Sequence, residues 1–186
     1  MNRNNTRDKW LDAGLRALAS DGAGAVRIDR IAAKLKLSKG SFHHHFDGAE
    51  GYKRELLAHF EAMSVDALEQ AIDGVQTSGD ARAVLGRLTE LVAAGRPELY
   101  WPELEVAVRA WATWDAEVRR VQGRIDKARL TALQRVWRPH VANDAEARVA
   151  ALLPYLIAIG AAVAVPPVGA DELGRVYEKL LPLVPR

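Results

Sequence analysis

Between residues 38 and 46 the chain reads SKGSFHHHF, and it sets Ser38, Lys39, Ser41, His43, His44 and His45 within one short run. Two chemistries suit such a set. Histidines can ligate a metal ion, and a surface dense in hydrogen-bond donors can meet phosphates and base edges. Helical neighbours point about 100° apart, so three consecutive histidines cannot converge on one ion without outside ligands. No metal site and no cofactor are expected. Donors spread over the exposed sides of a short helix instead fit nucleic acid, where lysine, serine and histidine reach the edges of a groove. Protonation of the histidines would add charge there, a pH-sensitive contribution to binding.

The elements that position these residues are legible around them. Ile28, Ile31, Ala32 and Leu35 recur at helical spacing. After Leu37, Ser38 is a good N-cap and opens a second short helix, expected over 38–46. Phe42 and Phe46 are four apart and share its buried face; with Ile31 and Leu35 they are expected in the core rather than among contacts. Two short helices joined by a tight turn, the second polar outside one apolar stripe, suit a helix-turn-helix DNA reader.

Charge is unevenly distributed. The whole chain of 186 residues is only +2, yet residues 1–46 hold nine Lys/Arg against four Asp, which leaves the remainder net negative by three. A basic head on a mildly acidic body fits a DNA-binding module attached to a regulatory one. Cysteine is absent, which removes disulfides, thiolate metal sites and cysteine nucleophiles. The polar opening MNRNNTRDKW lacks the apolar core of a signal peptide, and a cytoplasmic protein is expected.

Nearly all of the chain reads as helix, and an all-α fold of about nine helices is expected. Trp10, Leu11, Leu15 and Leu18 line a first helix ending near Asp21-Gly22. A long helix over about 49–73 carries Tyr52, Leu56, Phe60 and Met63, and Thr77-Ser78-Gly79 predicts a turn. Further helices are expected at 84–92, before Gly95-Arg96-Pro97, and then at 103–114, 116–138 and 143–164, with a last amphipathic one through Leu173, Val176, Tyr177, Leu180 and Leu181. The division of labour falls into a head, 1–48, and a ligand-binding and dimerisation body, 49–186. Val149 to Ala170 carries no charge and is long enough to cross a bilayer. Pro154 within it, Pro166-Pro167 near its end and the lack of flanking anchors favour a buried or subunit-facing helix instead.

These residues resemble the TetR family of bacterial transcriptional repressors. The likeness covers residues 7 to about 60: a first helix ending at Gly22-Ala23-Gly24, then Ile31-Ala32, then LSKGSF at 37–42, and His45-Phe46 before the long helix. The helix count and Ala110-Trp111-Ala112 are also similar to family members. The resemblance implies a dimer that binds a two-fold operator and lets go when a small-molecule effector binds. Three positions depart from the family's habit: Arg27 where threonine often caps the second helix, His43 where tyrosine is usual, and Ala49 where a lysine opens the long helix. Phosphate contacts at these places would move, to Lys53 or Arg54.

The candidate DNA contacts are therefore Arg27, Ser38, Lys39, Gly40, Ser41, His43, His44, His45 and Lys53. Arg27 lies at a helix N-terminus, where a phosphate is welcome, though it also reads as an ordinary surface arginine. Gly40 costs roughly 1 kcal/mol of helix stability, and either close approach of DNA backbone or a tight turn would justify it. In the body, aromatic residues with a few polar neighbours suggest a ligand pocket at Trp101, Glu105, Arg109, Trp111, Trp114 and Tyr155, with His140 as a further polar group; core filling is the plainer role for each. Residues 143–182 are apolar enough to demand cover, and Leu152, Leu153, Leu156, Ile157 and Ile159 point around much of one helix. A homodimer through these last helices is expected.

Catalysis is not expected. The chain lacks a Gly-x-Ser-x-Gly elbow, a phosphate-cradling glycine loop and His-Glu-x-x-His, and Glu103 and Glu105 are two apart, on different faces of a helix. The rival to a DNA-binding regulator is a helical protein-interaction module, which would show no salt-dependent affinity for DNA.

Overall fold

The computed structural model describes residues 3–73 and 81–184. Among them lie nine α-helices and no strand: α1 (Arg3–Asp21), α2 (Ile28–Leu35), α3 (Lys39–His43), α4 (Gly48–Asp73), α5 (Ala81–Ala93), α6 (Pro102–Ala112), α7 (Ala116–Trp137), α8 (Asp144–Val163) and α9 (Ala170–Leu180). The expected order of helices is realised. The turn expected at Thr77-Ser78-Gly79 lies outside the described residues. The largest local difference is α3, which stops at His43 instead of running to Phe46. His44 and His45 form a turn, although the Phe46 N–H still donates to the Phe42 carbonyl at 3.0 Å.

Packing divides the chain into two compact units. Residues up to 62 join 103–122 in the first; 63–102 and 123–186 make the second. The functional division expected at residue 48 is therefore not the packing division, because the first part of α4, nearly all of α6 and the start of α7 belong to the same compact unit as the short helices.

In the first unit α1 supplies the wall on which the others are laid. Trp10, Leu11, Leu15 and Leu18 are all within 2 % of complete burial. Tyr52 of α4 lies across α1 and donates its hydroxyl proton to the Trp10 carbonyl at 2.6 Å. Burial in this apolar setting pushes the Tyr52 phenol well above its usual range, so it stays a neutral donor at any physiological pH. Gly14 is what lets the two helices approach: a Cβ there would overlap the Tyr52 hydroxyl and stand 2.9 Å from Leu56 Cδ1.

The second unit gathers α5, α8 and α9 with the later parts of α4 and α7. Its core holds Ile72, Val84, Leu88, Leu133, Trp137, Ala147 and Ala151. Helix α8 begins with a reciprocal cap, as expected of Asn followed three residues on by Glu. Asn143 Oδ1 accepts from the Glu146 N–H, and the Glu146 carboxylate accepts from the Ala142 N–H, both at 3.0 Å. Gly174 brings α9 close to α5, since a Cβ there would stand 2.7 Å from that of Ala93. Helix α8 is long and apolar enough to span a membrane, at a mean hydropathy of 1.6, but amphipathic use of its two sides explains the same composition.

Replacing Gly14 by alanine should destabilise the protein by about 1–3 kcal/mol, the usual cost of forcing atoms into a filled core. Chemical denaturation checks this, and the loss should shrink when Tyr52→Phe is introduced as well, because the overlapping hydroxyl is then gone.

Candidate functional site

The exposed side of α3 is created by what its other side buries. A five-residue helix cannot hold itself together in water, because nucleation costs more than one turn of hydrogen bonds returns. Phe42 supplies the missing free energy. It is completely buried, and its ring lies 5.3 Å from Trp10, 5.1 Å from Phe46 and 5.3 Å from Tyr52, edge-on to the first and last. Phe46 closes the set at 4.9 Å from Tyr52. Ser38 fixes the start, its hydroxyl accepting the Ser41 N–H at 3.1 Å as the sequence implied.

With Phe42 and Phe46 turned in, Ser38, Lys39, Gly40, His43 and His44 are exposed and Ser41 and His45 half-buried. The His43 ring stands edge-on to Phe42 at 5.3 Å, which orients it without covering it. No cluster able to hold a metal ion occurs among the described residues. At Gly40 an added Cβ would meet only Ser38 Oγ at 3.6 Å, and its backbone is not left-handed. Neither packing nor a left-handed backbone therefore demands glycine there.

Lys36, absent from the expected contacts, forms the bend between α2 and α3. It is exposed and left-handed at φ 54°, a conformation in which glycine usually sits. Nothing in the residue type signals this; only the tightness of the turn does. Arg27 precedes α2 and pairs with Asp29 at 3.2 Å, both side chains about half exposed. Desolvation opposes ionisation of Asp29, but the hydrogen bond and charge of Arg27 outweigh it and hold the carboxyl below its usual range. An exposed pair of this kind is weak, so Arg27 can exchange Asp29 for a phosphate at little cost.

Lys53 is placed differently from expectation. Its ammonium lies 2.7 Å from Asp115 and 3.1 Å from Glu117, at the turn between α6 and α7, and 5.9 Å from the centre of the Trp111 ring. Desolvation pulls the lysine pKa down, yet the hydrogen bonds and charges of the two carboxylates prevail and raise it. Asp115 is held low by the Lys53 hydrogen bond first, against some desolvation, and by the N–H groups of Val118 and Glu117 that it caps. Of the two side chains to which phosphate contacts would move, Lys53 is thus engaged inward and Arg54 is the exposed one.

Residues 11–59 match the family model for bacterial regulatory proteins of the tetR family. Over that stretch, the head of the chain, the sequence is that of a TetR-family regulator. Whole-chain similarity extends the likeness past the head. A TetR transcription regulator from Haloarcula marismortui superposes with a TM-score of 0.73 at 20 % identity, covering 98 % of this chain and 100 % of that one. A TetR-family regulator from Rhodococcus gives 0.71 at 17 %, with the same coverage of both chains. A transcriptional regulator from Saccharomonospora viridis, solved in complex with choline, gives 0.70 at 20 %, again over 98 % and 100 %. At such identities these likenesses establish the fold. No curated protein matches the chain in sequence. The TetR-family fold is that of a DNA-binding transcriptional regulator, with the helix-turn-helix at α2–α3.

The six expected ligand residues are divided between the two compact units. Glu105 is buried in the first unit, 2.7 Å from Arg109 and 3.4 Å from Gln122 Nε2, and Trp111 is buried beside Lys53. Trp114 is 69 % exposed, 6.2 Å from Trp111. Trp101 and Tyr155 belong to the second unit. That unit contains an apolar cavity of about 130 Å³ walled by α4, α5, α7, α8 and α9, and Tyr155 is the one expected residue on its lining. Neither His140 nor Trp101 lines it. Ser64, Leu88, Tyr100, Trp137 and Tyr177 do.

Asp115→Asn keeps the cap of α7 and removes one of the two charges that Lys53 meets. Because the folded Asp115 carboxyl sits below its ordinary value near 3.9, its contribution is complete above that pH and fades as pH falls through the depressed value. The stability gap between wild type and Asp115→Asn should therefore be constant from pH 5 to 7 and close in stronger acid, as followed by denaturant titration at each pH.

Proposed function

We propose that this TetR-family protein is a cytoplasmic, ligand-responsive transcriptional regulator that binds a two-fold operator as a homodimer, with repression, the family's usual mode, as its action. The head, 1–48, reads DNA and the body, 49–186, binds effector and partner. The observation that carries the DNA reading is the α3 surface: Lys39, Ser41, His43 and His44 face outward around a Gly40 that the fold does not need. Ser38 and His45 flank the contact. Arg27 and Arg54 reach the neighbouring phosphates, since Ala49 offers them no charge. Lys53 joins them only if its pair with Asp115 opens.

Dimerisation is supported by a bare apolar stripe. Val149, Leu153, Leu156 and Val163 recur at helical spacing on α8 and are 68, 47, 57 and 53 % exposed, and Val176 of α9 is 40 % exposed. A monomer would leave this stripe to water, whereas a two-fold partner offers an identical one. Ligand response is supported by the cavity in the same unit and by the choline found in the Saccharomonospora viridis relative. A ligand lowers DNA affinity only by binding more tightly to the conformation that does not fit the operator.

Selection of bound fragments from genomic DNA, followed by salt titration, should yield a two-fold motif whose affinity falls steeply with salt. Enrichment of nothing, with weak binding indifferent to sequence, would favour the interaction-module alternative. Gly40→Ala gives the sharper check because its two effects have opposite signs. It should stabilise the fold by roughly 0.5–1 kcal/mol through helix propensity while weakening operator binding about tenfold or more. Leu156→Glu should yield monomers by sedimentation and lose operator binding with the head still folded.

A further inference from the structure

We propose that the cavity of the second unit takes a neutral, single-ring-sized apolar molecule bearing a hydrogen-bond acceptor, with the Trp137 indole N–H as its donor. The proposal rests on the ligand-responsive function above and adds the chemical class of the effector. Size comes first: about 130 Å³ is close to the cavities that admit a benzene-sized guest and stay free of water when lined by apolar groups. Most of the wall is aliphatic or aromatic, so the body of the guest is held by burial rather than by polar contacts.

The polar groups on that wall narrow the chemistry. The Tyr100 hydroxyl donates to the Val168 carbonyl and that of Tyr177 to the Pro154 carbonyl, each at 2.8 Å, while Thr89 donates to the Leu85 carbonyl at 2.8 Å. Burial, then the neighbouring Tyr100, push the Tyr177 phenol well above its ordinary range, so it remains a spent neutral donor. Ser64 is 3 % exposed and Trp137 7 %. The Trp137 indole N–H is buried with no acceptor among the described residues. Each buried donor without a partner costs on the order of 1–3 kcal/mol, recoverable by a guest that accepts from it.

Charge argues for neutrality. No carboxylate is among the described residues that line the cavity, so a quaternary ammonium finds no counter-ion on its wall. An anionic guest would have to shed its water into a largely apolar wall. The class therefore differs from the choline of the Saccharomonospora viridis relative. An aromatic ketone fits every requirement.

Calorimetry on the full-length protein with acetophenone, isopropylbenzene, benzoate and choline tests this. Acetophenone should bind about five- to tenfold more tightly than its hydrocarbon shape-match, the worth of one buried hydrogen bond. Trp137→Phe should bring that ratio towards one; Trp137→Leu is the second variant, used if the first fails to fold. Equal affinity for ketone and hydrocarbon, a ratio untouched by both variants, tighter binding of benzoate or choline, or no binding of any of the four would overturn the proposal. Operator affinity measured at saturating acetophenone separates the two ideas. Binding as described with unchanged DNA affinity keeps the ligand class and removes the effector function.

Discussion

The burial of Phe42 is the contact on which the rest of the DNA-reading head depends. A single phenylalanine anchors a helix of one and a half turns that has no other means of staying folded. Its partners come from three separate places in the chain, Trp10 on α1, Phe46 after α3 and Tyr52 on α4. Edge-on aromatic contacts add about 0.5–1.5 kcal/mol each to the burial itself and also restrict ring orientation. Rigidity follows. Lys39 and His43 are held at fixed angles because the residue between them in space cannot turn. Gly14 carries the arrangement one step further back: without its missing side chain Tyr52 could not lie on α1, and the aromatic box would have no fourth wall.

A second tie fixes the other end of the same unit. Lys53 lies one residue beyond Tyr52 on α4 and joins Asp115 and Glu117 under the edge of Trp111. The pair is less than a fifth exposed on either side, so it is screened less than an ordinary surface ion pair. Asp115 also caps α7, so one carboxylate both starts that helix and clamps α4. A lysine that sequence similarity would offer to DNA is thereby an internal strut.

Helix α8 shows how one apolar sequence serves two purposes. Ala147 and Ala151 are completely buried in the second unit's core, while Val149, Leu153, Leu156 and Val163 turn outward. The helix also carries Pro154, whose carbonyl receives the Tyr177 proton, and Tyr155 on the cavity wall. Composition alone made this stretch resemble a membrane span; small residues lie inside and large ones outside, the inverse of the usual order.

Local pattern by itself determined the all-α class, the order of the helices, the Ser38 cap and the inward turn of Phe42 and Phe46. These follow from periodicity and capping, which act over three or four residues and are written in consecutive positions. Its reach ended where contacts join residues far apart in the chain. The bent, left-handed Lys36, the shortening of α3 at His43 and the capture of Lys53 by Asp115, 62 positions away, depend on neighbours that periodicity cannot name. The ligand residues show the same boundary. Trp111 and Trp114 were conspicuous by type, but tertiary packing buried one, exposed the other, and built the cavity from Ser64, Leu88, Trp137 and Tyr177. A cavity is space left between several helices, and no single helix encodes where its neighbours stop.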